Sequence, residues 1–324
     1  MKNPVRLLLC VLFVAQWVKT LDIRDIANPD EGRYSEISRE MAQSGDWVTP
    51  RLNGLKYFEK PPLQYWATAA AFKVFGVNDL SARLWGGLCG LLTVLMLWFT
   101  ARRLWNKEIA DNAAMAGGSM LFLTALSHTV TLDMGVSFFL ALALCGFLLA
   151  HHDGARAAEN RWYMRLTWAA MAGAVLSKGL IGIVIPGAVL VLYTLLCRHW
   201  AVWARMQWLA GLLIFLALAA PWHVLVAQRN PEWAQFYFIH EHFDRFLTTE
   251  HRREGKWYFF VPLLLIGLTP WLSWLPAMIK RGIAAHPGIF QLNRFLLIWS
   301  SFIFVFFSLS GSKLPSYILP MFPA

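Results

Sequence analysis

Apolar segments long enough to cross a lipid bilayer recur along almost the whole chain, and this constrains its fold more than any other feature. A hydrocarbon core needs about 20 apolar residues per helix, because a spanning backbone must satisfy its own hydrogen bonds. Spans are predicted at roughly 5–22, 80–101, 109–126, 134–151, 165–177, 180–197, 207–227, 258–279 and 294–311. We therefore predict an all-α polytopic membrane protein with about nine or ten spans.

The first apolar segment, residues 7–18, has the length of a signal-peptide core. No small-residue cleavage site follows it and more spans come later, so it is interpreted as a membrane anchor. The four cysteines lie in or beside apolar segments without a CxxC pair, at Cys10, Cys89, Cys145 and Cys197. They are interpreted as small core residues rather than as disulfides or metal ligands.

The positive charges of the chain predict its orientation. Residues 62–76 are apolar but short and begin with two prolines, which favours a helix lying along the interface. With Lys2 and Arg6 in the cytoplasm, alternation then places every long basic connector inside, namely 102–107, 156–165, 198–205 and 280–294. Most of the net charge of +10 is thus explained by basic connectors that orient the chain in the membrane. No nucleic-acid-binding pattern is present.

The opposite face collects the loop 23–79, with juxtamembrane helices, and the loop 228–257. Ionisable and aromatic residues from distant parts of the chain meet there: Asp30, Glu31, Tyr34, Glu59, Lys60, Asp133, Lys178, Lys313 and Tyr317. Ionisable groups that converge at membrane depth predict a functional site.

The segment 28–45 is predicted to be a helix with Asn28 as its N-cap, Pro29 at its first position, Glu31 reaching back, and Ser44-Gly45 as its end. On that helix Asp30 shares a face with Tyr34, Ile37 and Met41. A carboxylate on an apolar face needs a partner or a function. The alternative is a second capping carboxylate at the positive end of the helix dipole.

FEKPP, residues 58–62, is held extended by its prolines, so Glu59 and Lys60 point to opposite sides. One would face a metal or a sugar and the other a phosphate, and a surface ion pair is the alternative. Asp133 begins an apolar helix, where a charge that complements the dipole is the alternative to a functional acid. Lys178 lies at a Ser-Lys-Gly break, which suits phosphate binding; snorkelling to the interface is the alternative.

The later loop, around NPEWAQFYFIHEHFDRF, places His240 on an apolar helix face. HEHFD is not an HExxH zinc motif, so a zinc site would need the fold to bring His240 to Glu59. A histidine satisfied by its neighbours is the alternative. Arg245 has the fork geometry for phosphate oxygens, or it pairs with Glu241 one turn back.

Acids, aromatics and separated cations on one face of a membrane bundle suit a substrate linked to a lipid phosphate. The cations would hold a phosphate leaving group, and the carboxylates would orient an acceptor or stabilise positive charge at a sugar carbon. The sequence contains neither a P-loop nor a GxGxxG joining strand to helix, so no nucleotide cofactor is expected.

These residues also carry a family resemblance. The stretch NPDEGRYSEISREM…SGDWVTPRLNGLKYFEKPPLQYW resembles the polytopic type C glycosyltransferases related to protein O-mannosyltransferases, and in particular the bacterial lipid A 4-amino-4-deoxy-L-arabinose transferases. LSKGLIGIVIPGAVLVLY, APWH, FIHEHFDRF and SKLPSYILPMFPA are similar to that family too, so the resemblance covers essentially the whole chain.

The resemblance implies a type C transmembrane bundle in the bacterial inner membrane with its active site facing the periplasm. It implies transfer of aminoarabinose from undecaprenyl phosphate to lipid A phosphate, a modification that gives resistance to cationic peptides such as polymyxin. Family members continue with more spans and a soluble periplasmic domain, so residues 1–324 would be the transmembrane domain of a longer protein.

Roles for individual residues also follow from the resemblance. Asp30 corresponds to the principal catalytic acid, with Tyr34 beside it, and Asp133 corresponds to the second acid. Lys60, Arg245 and Tyr317 correspond to positions around the donor phosphate. Glu59 and His240 match a pair that binds zinc or another divalent cation and orders the first loop.

Two other readings compete with this one. An enzyme of the same fold would glycosylate a protein or another envelope glycan, and a hydroxyl acceptor would then give Asp30 a general-base role. A transporter or lipid flippase predicts ionisable residues along a midplane path and often paired halves, whereas these residues cluster on one face and no repeat is visible. A purely structural membrane protein would not require this clustering of charge.

Overall fold

A computed structural model describes residues 4–237, 255–284 and 288–324. The chain is helical there, apart from one short ribbon of two strands. The helices are α1 (Pro4–Lys19), α2 (Asp30–Ser44), α3 (Leu63–Phe75), α4 (Asp79–Leu104), α5 (Lys107–Ser119), α6 (Leu121–Ser127), α7 (Leu132–His151), α8 (Ala157–Lys178), α9 (Ile181–Cys197), α10 (Ala201–Ala204), α11 (Trp208–Arg229), α12 (Phe260–Gly267), α13 (Leu275–Ile283) and α14 (Leu292–Leu309). Short 3-10 helices cover Thr20–Asp22, Trp271–Trp274 and Pro315–Met321.

The two-stranded ribbon is a departure from the all-α prediction. Strands β1 (Arg51–Leu52) and β2 (Leu55–Lys56) pair antiparallel across the Asn53-Gly54 turn, where both residues have positive φ. Asn-Gly is the strongest short-range signal for such a turn, because both residues tolerate the left-handed region. The Asn53-Gly54 pair is therefore the sequence signal that predicts this ribbon.

Within the part of the chain that the structure describes, four helices are long and apolar enough to cross a membrane: α4, α7, α11 and α14. Two bent pairs raise this number to six if each pair is one span, since α5 and α6 meet at 58° and α12 meets the segment 271–283 at 105°. The predicted spans 109–126 and 258–279 are therefore broken helices. Pro270 lacks a backbone N–H and so interrupts the helical hydrogen bonds of the span 258–279. The breaks in the two spans contact each other, since the Leu121 N–H donates to the Thr269 carbonyl at 3.0 Å.

Helix α7 is the centre of the bundle, and nearly all of its residues are buried. It packs against α4, α8, α9 and the final 3-10 helix. Its close contact with α8 depends on Gly146, since an added Cβ there would lie 2.7 Å from Thr167 Oγ1. Because α7 is enclosed, the residue in its first turn, Asp133, has fixed neighbours.

Helix α2 begins one residue later than predicted. Pro29 is its N-cap and no side chain caps it, so the prediction of Asn28 as N-cap is wrong. The carboxylate of Glu31 instead accepts a hydrogen bond from the Ala27 N–H at 2.9 Å. The predicted end is confirmed, because Gly45 adopts a left-handed conformation with φ of 73° directly after Ser44.

Candidate active site

The apolar face predicted for α2 is confirmed, with a correction at its first residue. Tyr34, Ile37 and Met41 are buried. Asp30 is 39% exposed and pairs with Arg33 at 2.5 Å. The buried acid of this helix is Glu31, which is only 3% exposed. Asp30 therefore lies where a substrate can reach it, whereas Glu31 belongs to the packed interior.

Glu31 anchors α2 to two distant elements. Its Oε1 accepts from Arg83 Nε at 3.1 Å and from the Val130 N–H at 2.8 Å, and its Oε2 accepts from Arg24 at 2.5 Å. Arg83, on α4, is buried and also donates to the carbonyls of Leu21 and Arg24. A buried carboxylate is stable only when its lone pairs are satisfied in this way.

Burial by itself would raise the pKa of Glu31. The hydrogen bonds from Arg24 and Arg83 and from the two backbone N–H groups outweigh burial and lower this pKa to about 2. The carboxylate of Glu31 is therefore charged at neutral pH and can pair with both arginines. Since Val130 lies three residues before Asp133 and Asp30 directly precedes Glu31, this anchor sets the position of one candidate acid relative to the other.

Three tyrosines surround Glu59 behind the exposed end of α2. The Tyr65 ring lies 6.2 Å from the Tyr34 ring and 6.5 Å from the Tyr57 ring, centroid to centroid. Tyr57 Oη donates to Glu59 Oε2 at 2.9 Å. Burial, followed for Tyr57 by the charge of Glu59, raises the pKa of Tyr34, Tyr57 and Tyr65, so all three hydroxyls stay protonated donors at neutral pH.

The FEKPP element reaches this tyrosine cluster through its acid. Glu59 contributes to the electrostatic environment of Arg33 and Tyr34, which places it beside the exposed end of α2. Lys60 Nζ donates to the backbone carbonyl of Glu59 at 2.7 Å. The two charged side chains of this motif therefore both belong to the region around Asp30.

Asp133 is held from two sides, in the first turn of α7. Lys178, the last residue of α8, pairs with its Oδ1, and Ser316 Oγ donates to its Oδ2 at 2.7 Å. Lys178 Nζ also lies 4.5 Å from the centroid of the Tyr317 ring. The structure thus brings together three residues singled out in the sequence. Ser316 was missed, because a serine in a segment rich in small residues carries no signal of its own.

Tyr34 connects the two groups of acids. Its phenol lies within electrostatic range of Asp30, Glu59 and Asp133, whose negative charges add to burial in raising its pKa. The cluster around Asp30 and the cluster around Asp133 therefore form one site at one end of the bundle. Carboxylates, retained tyrosine protons and two lysines in one place can orient an acceptor and bind a phosphate.

Two predicted residues, His240 and Arg245, lie outside the described residues. The pairing of His240 with Glu59 around zinc and the phosphate contact of Arg245 remain predictions. Within residues 4–237, 255–284 and 288–324, no group of three or more His, Cys, Asp or Glu side chains is arranged to hold a metal ion. Lys313 is buried, and its Nζ donates to the carbonyl of Ser310.

The GDW motif ties the first loop to the bundle. Asp46 Oδ1 accepts from the N–H groups of Val48 and Thr49 at 3.1 and 3.2 Å, which closes a tight turn. Indole N–H groups then hold that turn, since Trp66 donates to the Trp47 carbonyl at 2.7 Å and Trp222 to the Val48 carbonyl at 2.9 Å. Both tryptophans are on other helices, α3 and α11, so the loop between α2 and α3 is held against them.

Comparison with known proteins identifies the family of this chain. The family model of the dolichyl-phosphate-mannose-protein mannosyltransferases (PMT) matches residues 5–237. The chain is similar to the undecaprenyl phosphate-alpha-4-amino-4-deoxy-L-arabinose arabinosyl transferase of Aeromonas hydrophila, with 33% identity over 314 residues, 96% of this chain and 57% of that protein. The protein of the same name in Pseudomonas aeruginosa is 33% identical over 317 residues, 97% of this chain and 56% of that protein. The chain thus spans little more than half the length of these relatives.

Solved structures show the same fold. The crystal structure of ArnT from Cupriavidus metallidurans bound to undecaprenyl phosphate superposes with a TM-score of 0.96 and 40% identity, covering 100% of this chain and 59% of that one. The archaeal oligosaccharyltransferase AglB from Archaeoglobus fulgidus superposes with a TM-score of 0.62 over 97% of this chain and 49% of that one, at 14% identity, which shows a shared fold alone. The predicted type C glycosyltransferase fold is confirmed. The chain belongs to the dolichyl-phosphate-mannose-protein mannosyltransferase family.

Proposed function

We propose that this protein transfers 4-amino-4-deoxy-L-arabinose from undecaprenyl phosphate to a phosphate group of lipid A. The observation that carries the proposal is the convergence of Asp30, Asp133 and Lys178 at one end of a bundle that superposes with a TM-score of 0.96 on a protein solved with undecaprenyl phosphate. Relatives named as undecaprenyl phosphate-aminoarabinose transferases cover nearly the whole chain and support the same substrate.

The reaction breaks the bond between the anomeric carbon of the sugar and the oxygen of undecaprenyl phosphate. The leaving phosphate takes the electron pair, and an oxygen of the acceptor phosphate forms the new bond to the same carbon. A phosphate monoester has a second pKa of about 6, so it is already ionised at neutral pH and needs no general base. Asp30 then positions the acceptor or the sugar amine, and catalysis is mostly orientation and charge stabilisation.

The cations of the site take the donor phosphate in this proposal. Lys60 Nζ donates to the Glu59 carbonyl at 2.7 Å, and in this proposal the same ammonium group also binds a phosphate oxygen. The charge of Lys178 is balanced by Asp133, and Tyr317 lies against it. Arg245 adds a bidentate donor. Asp133, held rigidly by Lys178 and Ser316, stabilises the positive charge that develops at the sugar carbon.

A zinc or other divalent cation is part of the proposal as a structural element. Glu59 supplies an oxygen ligand and His240 a nitrogen ligand, both of which zinc accepts. Such a bridge would order the loop 23–79 against the loop 228–257. Glu59 accepts from Tyr57 at 2.9 Å, a contact of the kind that orients a metal ligand.

The orientation and the number of spans are also proposals. We infer about nine or ten spans in the bacterial inner membrane, with the site, α2 and α3 on the periplasmic side. The distribution of basic connectors supports this orientation. At 13 residues, α3 is shorter than a spanning helix, which supports its placement along the interface.

Expression of the encoding gene in a bacterium that lacks its own aminoarabinose transferase tests the proposal. Mass spectrometry of lipid A would show the added sugar for the wild type. The Asp30→Asn variant should lose it, and the matched variant Asp22→Asn, at an exposed acid beside the first helix, should keep it. Unmodified lipid A from a well-expressed wild-type protein would overturn the assignment of the acceptor.

A protein acceptor is the second candidate, because the matching family model is that of a protein mannosyltransferase. A serine or threonine hydroxyl must lose a proton on transfer, and Asp30, 39% exposed, would then serve as its general base. The pH dependence of transfer separates the two candidates, because a phosphate acceptor needs no base and its rate would follow the ionisation of the acceptor, near its second pKa of about 6.

A further inference from the structure

A cavity of about 280 Å³ lies at the end of the bundle opposite the candidate site. It is formed by Leu196 and Cys197 at the end of α9, by Gly282 and Ile283 at the end of α13, and by three residues of α14 that include Arg294. Helix α9 starts just after Lys178, and α14 ends just before the segment that carries Ser316. Both of those residues contact Asp133, so the cavity lies a full helix length from it.

The cavity is apolar and open at the surface of the bundle. Leu196 and Ile283 are 67% and 63% exposed, and among the described residues Arg294 is the one charged side chain that lines it. Its volume is far above the roughly 30 Å³ that one water molecule occupies, and apolar walls offer water few hydrogen-bond partners. Space of this size and polarity suits a hydrocarbon chain.

One cation lines the cavity and three more are close in sequence to residues that line it. Arg294 lines it, Lys280 and Arg281 are in the last turn of α13, and Arg198 directly follows Cys197. In the described part of the chain, no carboxylate forms an ion pair with any of the four.

Three cations of the other basic connectors are paired, since Arg103 and Arg156 pair with Glu159 and Lys107 pairs with Asp111. The guanidinium of Arg294 donates to the Ile283 carbonyl at 3.5 Å, a weak bond, and it also contacts the Cys197 thiol. Asp153 is the nearby acid and accepts from the Phe290 N–H at 3.0 Å, so within the described residues positive charge is in excess beside this apolar space.

We propose that this cavity binds one anionic phospholipid, with an acyl chain between α9 and α14 and the phosphate against Arg294. Charge complementarity selects the ligand, since a zwitterionic lipid would bring its own cation towards Lys280 and Arg281. The bound lipid joins the ends of α9, α13 and α14, and of these α9 and α14 lead towards Lys178 and Ser316. This site does not depend on the function proposed for the opposite end.

The test uses the purified protein in nanodiscs of equimolar dioleoyl-phosphatidylglycerol and dioleoyl-phosphatidylcholine, with native mass spectrometry of the lipids retained after release. The wild type should retain phosphatidylglycerol in preference to phosphatidylcholine. Arg294→Gln should lower that preference about fivefold, the equivalent of about 1 kcal/mol per basic residue near a lipid phosphate. Ile298→Trp, which fills the cavity and leaves its charge, should lower retention of the bound lipid.

The matched control is Arg102→Gln, which removes the same charge from a basic connector outside the cavity and should leave lipid retention unchanged. Equal retention of the two lipids by the wild type would overturn the proposal. An equal effect of Arg102→Gln and Arg294→Gln would overturn it too, because it would show diffuse attraction of anionic lipid. If Arg294→Gln is not monodisperse, the Lys280→Gln/Arg281→Gln variant replaces it with the same expected and contrary outcomes.

Discussion

Ser316 Oγ donates a hydrogen bond of 2.7 Å to Oδ2 of Asp133, across 183 positions of the chain. The other carboxylate oxygen of Asp133 pairs with Lys178, so each oxygen is held by a different element. The 3-10 helix Pro315–Met321 thereby completes a site that α7 and α8 begin. The segment SGSKLPSY is thus a structural part of the site through Ser316, which no sequence pattern indicates.

Replacement of Ser316 by Ala should lower the rate of sugar transfer about tenfold. A hydrogen bond to a charged group is worth about 1.5–3 kcal/mol, and its loss frees Asp133 Oδ2 to rotate. The change should appear in kcat more than in KM, because the substrates keep their direct contacts. Ser300→Ala is the control, since that hydroxyl bonds only to carbonyls of its own helix. Equal rates for the two variants would contradict a positioning role for Ser316.

Lys178→Met should destabilise the fold and abolish transfer, because it leaves a buried carboxylate without its cation. Removal of one partner from a buried pair costs about 3–5 kcal/mol. The double variant Lys178→Met/Asp133→Asn should recover part of that stability while it stays inactive. Thermal unfolding in detergent, arranged as a double-mutant cycle, measures the coupling. Purely additive effects would show that the two side chains do not interact.

The stability of the protein should depend on Glu31 at acid pH. The folded pKa of about 2 lies below the ordinary value of 4.5, so the carboxylate stabilises the fold above pH 4.5, and this contribution is lost as the pH falls from 4.5 towards 2. The contribution is about 3 kcal/mol. The melting temperatures of the wild type and Glu31→Gln should therefore differ clearly at pH 7 and converge near pH 2.

A matched comparison for Glu31 is Glu36→Gln on the same helix. Glu36 pairs with Arg39 at 2.6 Å on the exposed side of α2, where an ion pair is worth about 1 kcal/mol or less. If Glu36→Gln lowers the melting temperature as much as Glu31→Gln does, the buried ion pair with Arg83 adds no more stability than an exposed one.

Tyr65→Phe should leave the protein as stable as the wild type or more stable. The Tyr65 ring is fully buried, and its hydroxyl makes no hydrogen bond to any residue that the structure describes. An unsatisfied buried hydroxyl costs about 1–3 kcal/mol, and this substitution removes it. Tyr57→Phe instead loses the bond to Glu59 and should lower stability by about 1 kcal/mol. Parallel melting curves compare the two, and a marked loss for Tyr65→Phe would reveal a partner for its hydroxyl.

The residues alone were enough to predict the class of fold and to single out several of the side chains that the structure brings together. Long apolar runs leave a chain few options but membrane helices, because a buried backbone must bond to itself. Local signals placed the end of α2 at Ser44-Gly45 and the start of α7 near Asp133. The predicted topology placed Asp30, Asp133, Lys178 and Tyr317 on one face. In the structure Lys178 pairs with Asp133 and lies against the Tyr317 ring.

Tertiary structure alone decided which neighbours these residues have. Adjacent positions on a helix face about 100° apart, so Asp30 and Glu31 point in different directions. Which of the two is buried depends on where Arg83 and Val130 lie, and these residues are 52 and 99 positions from Glu31 in the sequence. The same holds for Ser316, whose contact with Asp133 follows from packing of the final 3-10 helix against α7. Periodicity reports which face of one helix is apolar. It carries no information about which side chain of another helix will meet that face, because that depends on how the whole bundle packs.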